Sequence, residues 1–423
     1  MEVLQALLAD IVLPKMVRVR QEFPGTRVGD LAARLSEEFE KPGIGERIKP
    51  GQKIAVAVGS RGVADIVMIT RVAVAQIKRR GGIPFIVPAM GSHGGATAAG
   101  QQEILANLGV TEAAVGCPIR SSMEVVEVGR LDNGLPVLMD RLAYEAEGIV
   151  VINRVKPHTA FRAPVESGLS KMITIGLGKQ KGADSCHAYS FKYMYEFIVK
   201  MAQIKIARTP ILFGIATVEN AYDQVALVEA VPAEDIIERD AELLTIAKKN
   251  MPSILFADMD VLIVDYLGKN ISGDGMDPNI TGRYPTPYAS GGPAINKLVV
   301  LNLTSETHGN ANGIGAADFT TDKVEQAMDR VATYMNGLTS TVVSPLRLPA
   351  VMGSDKQAMQ AALKTCNAFD RTKARVVRIR DTLHLGEIMI SEALLSEARN
   401  LDHVTILGSA ADWCFDEKEN LMG

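Results

Sequence analysis

The sequence predicts an α/β fold in two domains with parallel or mixed sheets, and three observations carry that reading. Apolar runs without alternation, such as KIAVAV at 53–58 and GIVVI at 148–152, have the length and all-buried character of parallel strands. Several of these runs end in a glycine-bearing turn and pass into a helical periodicity, the pattern of β-α units whose ligands gather at the carboxyl ends of the strands. At 423 residues the chain exceeds what one core usually serves, and the pattern restarts after Asn250-Met251-Pro252. We expect residues 1–255 to form an N-terminal α/β domain and residues 256–423 a C-terminal α/β domain that closes over it. The active site is expected in the cleft between them.

In chain order, residues 1–50 read as an irregular arm with one helix at 28–40. The strand at 53–58 stops at Gly59-Ser60-Arg61-Gly62 and is followed by helical spacing over 64–80. A strand at 84–88 ends in Ala89-Met90-Gly91-Ser92-His93-Gly94-Gly95, and 97–108 reads as a helix. Arg61 and His93 therefore sit at strand ends on the same side of one sheet. The strand at 148–152 leads into residues 153–187, which hold two of the six histidines, four lysines and two arginines around a glycine-punctuated turn. So much cationic and imidazole character is not buried without partners, so the stretch is either a solvated loop or a site. Helices are expected at 191–206 and 234–249, the latter acidic early and basic late as the macrodipole favours, with a strand at 211–218 between them. Further strands are expected at 259–266, 297–303 and 375–379, and helices at 323–335 and 356–366. Glycine-rich loops fill 268–283 and 304–318.

Composition excludes several classes. A hydrophobic share of 47%, a charged share of 22% and a net charge of -4 leave no basic block to neutralise a nucleic-acid backbone. No run approaches the roughly 18 apolar residues of a membrane span, and the start MEVLQALLADIVLPK lacks a signal-type cationic region. Four scattered cysteines (Cys117, Cys186, Cys366, Cys414) form no CxxC pair. A cytoplasmic, ligand-handling protein is expected, with neither nucleic acid nor membrane as partner.

The chemistry concentrates in His93, His158 and His187, each in or beside a loop that leaves a strand of the first half, whereas His384 and His403 lie in ordinary amphipathic context. Imidazole takes and gives protons near neutral pH and ligates metals. A guanidinium such as Arg61 grips a carboxylate through two parallel hydrogen bonds. Two bases facing a carboxylate-anchored substrate suit inversion at one carbon. From the second half, Lys269 or His308 is placed to reach a substrate.

Arg61 in a strand-end turn, His93 in GSHGG, His158 in KPH, Lys171 in GLSKM and His187, sixteen positions beyond Lys171, together resemble the nickel-pincer lactate racemase family. The resemblance implies a racemase or epimerase of a 2-hydroxy acid. Its cofactor would be a nickel-pincer nucleotide (pyridinium-3,5-bisthiocarboxylic acid mononucleotide nickel) tethered covalently to Lys171, with His187 as protein ligand to the nickel. His93 and His158 would be the paired acid/bases, Arg61 and Lys269 substrate contacts, and Lys179 and Gly178 part of the cofactor cradle. Cofactor-biosynthesis proteins would be needed for maturation. The turn after His93 continues Gly94-Gly95 where those racemases place an arginine. Two other classes fit the residues: a hydrolase or lyase with a histidine-ligated metal, and a non-catalytic relative that binds a nucleotide or hydroxy acid.

Overall fold

The computed structural model describes residues 2–60 and 62–422, so Arg61 lies outside the described residues. The architecture is α/β. In chain order its strands are β1 (Met16–Gln21), β2 (Lys53–Val58), β3 (Ile83–Pro88), β4 (Val125–Arg130), β5 (Pro136–Asp140), β6 (Gly148–Arg154), β7 (Ile211–Glu219), β8 (Val225–Pro232), β9 (Asp258–Leu267), β10 (Ala294–Leu303), β11 (Phe319–Thr321), β12 (Ala350–Met352), β13 (Val376–Ile379), β14 (Glu387–Ser391) and β15 (Val404–Ile406). The chain divides into two compact units, one of residues 25–251 and one of residues 1–24 with 252–423.

That division corrects the expected arrangement at the N-terminus. The first 24 residues do not fold with residues 25–251, because β1 pairs antiparallel with β14 on one side and β15 on the other, Val17 opposite Ile390 and Val19 opposite Ile406. In MVRVRQ the charged Arg18 and Arg20 are exposed while Met16, Val17, Val19 and Gln21 are buried. A half-charged strand of this kind gives no continuous apolar run, which is why it reads as an irregular arm.

In the unit of residues 25–251 a five-stranded sheet runs β3-β2-β6-β7-β8, parallel except for β8. Ile54, Val56, Val58, Val150, Ile152, Phe213 and Ile215 pack against Ile69, Ala73 and Ile77 of the helix Ile66–Arg79 and Leu35 and Phe39 of the helix Leu31–Glu40. Phe39 meets Phe213 edge-on with centroids 5.4 Å apart. The chain leaves β2 to add β3 on one side and later adds β6 on the other. The turns after β2 and β6 therefore diverge at the carboxyl edge, where a doubly wound sheet opens a ligand crevice. A separate hairpin, β4-β5, packs outside this sheet.

In the other unit an eight-stranded sheet runs β12-β11-β10-β9-β13-β14-β1-β15. Val261, Ile263, Val299 and Leu301 form its core with Met359 and Ala362 of the helix Asp355–Thr365. The single helix expected at 323–335 is two, Asp322–Ala327 and Arg330–Ser340. Asp329 breaks it: its backbone is extended and its carboxylate accepts the Ala332 N–H at 2.9 Å, starting the second helix. No helix among the described residues is long and apolar enough to cross a membrane.

Candidate active site

Beyond β6 the loop 156–167 is closed by main-chain bonds between Lys156 and Ser167 (2.9 and 3.3 Å). Inside it the buried Glu166 carboxylate accepts the His158 N–H at 2.7 Å, Arg162 Nη1 at 3.3 Å and Lys248 Nζ at 2.8 Å, which fixes the backbone that carries the His158 ring. Asp240 then starts the next helical turn, its two oxygens accepting the N–H groups of Leu169 (3.0 Å) and Ser170 (2.7 Å). Gly168 permits that approach, since a Cβ there would stand 2.5 Å from Asp240 Oδ1. Burial pushes the Asp240 carboxyl from 3.8 up to about 6, against the opposing pull of the Ser170 and Leu169 bonds. The folded state thus holds more protons than the unfolded chain between about pH 4 and 6, and stability falls as pH rises through that window and is flat above it. Asp240→Asn is expected to remove this slope in urea melts run from pH 4 to 7.

The stretch 169–187, which the sequence presents as a turn with small residues, is helical instead. A short helix Leu169–Lys171 passes into a π turn, Met172–Gly176, and then into the helix Lys179–His187. Its glycines give close packing rather than loop freedom: a Cβ on Gly178 would lie 2.6 Å from Thr174 O, and one on Gly176 2.8 Å from Ala89 O. His187 closes the helix with its Nδ1 2.7 Å from Ala183 O. A carbonyl only accepts, so Nδ1 carries the proton and Nε2 keeps its lone pair. His158 is in the opposite state. Its Nδ1 accepts the Ala160 N–H at 3.0 Å, so the neutral ring carries its proton on Nε2.

Phe191 joins the two imidazoles. Its buried ring has its centroid 5.7 Å from that of His158 and 5.6 Å from that of His187, and Phe161 covers His158 at 4.5 Å. Burial first, then the Lys171 and His187 charges, hold His158 well below the usual imidazole value of 6.5. Burial also lowers His187, with Lys171 adding to it against the Ala183 bond. His158, Lys171 and His187 therefore share one electrostatic neighbourhood, and both rings are neutral at pH 7.

His93 is brought to the same edge by the turn after β3. Its Nδ1 bonds the Ser60 hydroxyl in the turn after β2, and its carbonyl accepts Gln101 Nε2 at 3.2 Å. Two residues earlier the Gly91 N–H donates to Gly176 O (3.2 Å), and a Cβ on Gly91 would touch Ile175 and Ala183. Gly59 lies against Met172, the residue after Lys171. The turns after β2, β3 and β6 thus meet on the helical segment that carries Lys171 and His187.

Other residues expected at the site have partners within their own units. Lys179, expected at the cofactor, is fully buried: its ammonium donates to Pro88 O (2.8 Å) and Gln101 Oε1 (2.5 Å) and pairs with Asp140 at 3.4 Å. Two hydrogen bonds and one ion pair hold its ammonium inside the unit. Gly178 serves helix packing. Lys269, in the other unit, donates to Gly273 O of its own loop. An open depression of about 420 Å³ lies beside the turn after β2, lined by Gly62, Asp65, Arg71 and Leu108 among others, and none of the histidines borders it. Among the described residues no three His, Cys, Asp or Glu side chains gather as a metal site. Sequence reasoning missed Ser60, Glu166, Phe191, Lys205 and Asp240. Ser60 had a signal, its place in a strand-end glycine turn; the others look like ordinary helix or loop residues.

Residues 23–196 match a family model described as the lactate racemase N-terminal domain. Among solved structures, the lactate racemase apoprotein from Thermoanaerobacterium thermosaccharolyticum is similar at 12% identity and a TM-score of 0.47, over 87% of this chain and 88% of that one. Comparison with curated proteins gave no match.

Proposed function

We propose, from the premise that residues 23–196 belong to the lactate racemase N-terminal domain family, that this chain is a racemase or epimerase of a 2-hydroxy acid. The observation that carries the reading is the grouping of His158 and His187 about Phe191, with the Lys171 charge acting on both rings. A nickel-pincer nucleotide fits these residues. Lys171 offers an amine for the tether, and His187 offers an Nε2 lone pair, the proton being held on Nδ1 by Ala183 O as metal-ligating imidazoles require. When bound, such a group supplies a hydride acceptor and donor, which no side chain provides.

The chain's own residues then handle protons and orientation. His93, with Nδ1 against the Ser60 hydroxyl, takes the substrate hydroxyl proton at Nε2 and returns it. His158 meets the same oxygen first as an Nε2–H donor. It becomes an acceptor only when its proton moves to Nδ1 and the Ala160 bond opens. With the His93 Nδ1–H donating to Ser60 Oγ, the two imidazoles begin a cycle in unlike states, as inversion between two faces demands. Arg61 grips the carboxylate by paired charged hydrogen bonds. Phe161 and Phe191 cover part of the half-buried His158 ring. The four cysteines carry no disulfide and three are buried, which fits a reducing, cytoplasmic setting.

The test is production together with cofactor-biosynthesis proteins, then peptide mass spectrometry, nickel analysis and polarimetry on a panel of chiral 2-hydroxy acids. A mass increase on the Lys171 peptide, absent in Lys171→Ala, together with loss of optical rotation, is expected. Unmodified, colourless protein with stoichiometric zinc would overturn the reading in favour of a hydrolase or lyase. A loaded protein that binds hydroxy acids without turnover would make it a sensor.

A further inference from the structure

The wide turn between Lys171 and His187 is clamped from behind. In the π turn the Leu177 N–H reaches back to Met172 O at 2.9 Å, while the Gly178 N–H goes to Ile175 O at 3.2 Å. The carbonyls of Ile173 and Thr174 are taken by a side chain, the ammonium of Lys205, at 2.8 and 2.9 Å. Lys205 is 1% exposed and belongs to the helix Met194–Arg208. The same helix receives a second bond from the turn, Thr174 Oγ1 to Ile198 O at 2.9 Å. The absence of a side chain at Gly178 keeps Thr174 O open, since a Cβ there would press on that oxygen at 2.6 Å. A buried lysine is costly, and an apolar residue at 205 would suit the helix's inner face, where Phe197, Ile198, Met201 and Ala202 are buried. Neither the tether, the metal nor the proton chemistry proposed above uses this ammonium.

We infer that Lys205 is a positioning residue of the site, whose ammonium holds the π turn in the shape that sets Lys171 relative to His187. The role of those two residues rests on the proposed function; the clamp itself does not. Without the ammonium, two buried carbonyls lose their partner and the turn is driven toward ordinary helical spacing, which rotates the helix Lys179–His187 relative to Lys171.

The cofactor-free protein tests this directly. In Lys205→Met, amide exchange at Leu177 and Gly178 is expected to speed up roughly tenfold or more, as a buried hydrogen-bonded turn does on losing its cap. The His187 ring signals in histidine-labelled NMR spectra are expected to move, while those of His384, in the other unit, stay in place. Lys205→Gln, which keeps an amide donor for one of the two carbonyls, is expected to fall between wild type and Lys205→Met. A folded Lys205→Met with wild-type exchange at both amides and an unmoved His187 ring overturns the inference. If Lys205→Met does not fold, Lys205→Gln decides by the same readings. In protein made with the biosynthesis machinery, Lys205→Met is expected to keep the Lys171 adduct but shift its visible absorbance. Absence of the adduct in wild type sinks the proposed function alone, since the exchange and NMR readings do not depend on it.

Discussion

His158→Gln is expected to lower racemisation by at least about a hundredfold, the usual contribution of a positioned acid/base, without loss of fold. Glutamine retains a donor for the substrate oxygen but cannot take the proton, so donor and acceptor duties separate in the result. Initial rates of optical rotation change, measured on protein carrying the proposed Lys171 adduct, make the comparison, with His384→Ala in the other unit as a control. The pH profile adds a second check. Because burial and the Lys171 charge hold His158 well below 6.5, its ring is neutral across the physiological range. The acid limb of the wild-type rate assigned to His158 is therefore expected below pH 6.5. An acid limb centred above that value, or a glutamine variant with wild-type rate, would remove His158 from the mechanism.

Lys179→Met is expected to destabilise the unit of residues 25–251 by about 3–5 kcal/mol, the range found when one partner of a buried ion pair is deleted. Burial pushes Lys179 down and Asp140 up, each resisted by the charge of the other, and neither is exposed. Asp140 Oδ1 caps the next helix through the Ala143 N–H (2.9 Å), while Oδ2 has no hydrogen-bond partner beyond its pairing with Lys179. Deleting the lysine strands that oxygen. Lys179→Met combined with Asp140→Asn is expected to recover most of the loss, since the amide keeps the cap and carries no charge. Urea melts of the single and double variants measure both. A neutral single variant would show that the lysine is not a strut.

The strands that line the site were legible because parallel strands buried on both faces, such as KIAVAV and GIVVI, leave continuous apolar runs. Most strands that escaped notice are antiparallel, like β1 with its two exposed arginines, or sit in the β4-β5 hairpin, while β11 and β12 are parallel but only three residues long. His93, His158 and His187 could be singled out because imidazoles in or beside loops that leave strands are chemically conspicuous, and Lys171 only through the family resemblance. Their supports could not. Asp240 lies some 70 residues along the chain from the N–H groups it accepts, and Lys205 over 30 from its carbonyls, so only the folded chain reveals either link. Lys179 illustrates the converse error, a cation in a glycine-rich run that invites a phosphate and proves to be a bolt inside the unit.

The discontinuous unit has a consequence for biosynthesis. The segment MVRVRQ leaves the ribosome early, yet both of its neighbours, around Ile390 and Ile406, are translated only after the whole of 25–251 and most of 252–423. At the usual pace of elongation this opening strand waits on the order of tens of seconds with both edges bare. The two arginines spaced along it are the sort of charge that keeps a waiting edge from joining a neighbouring nascent chain.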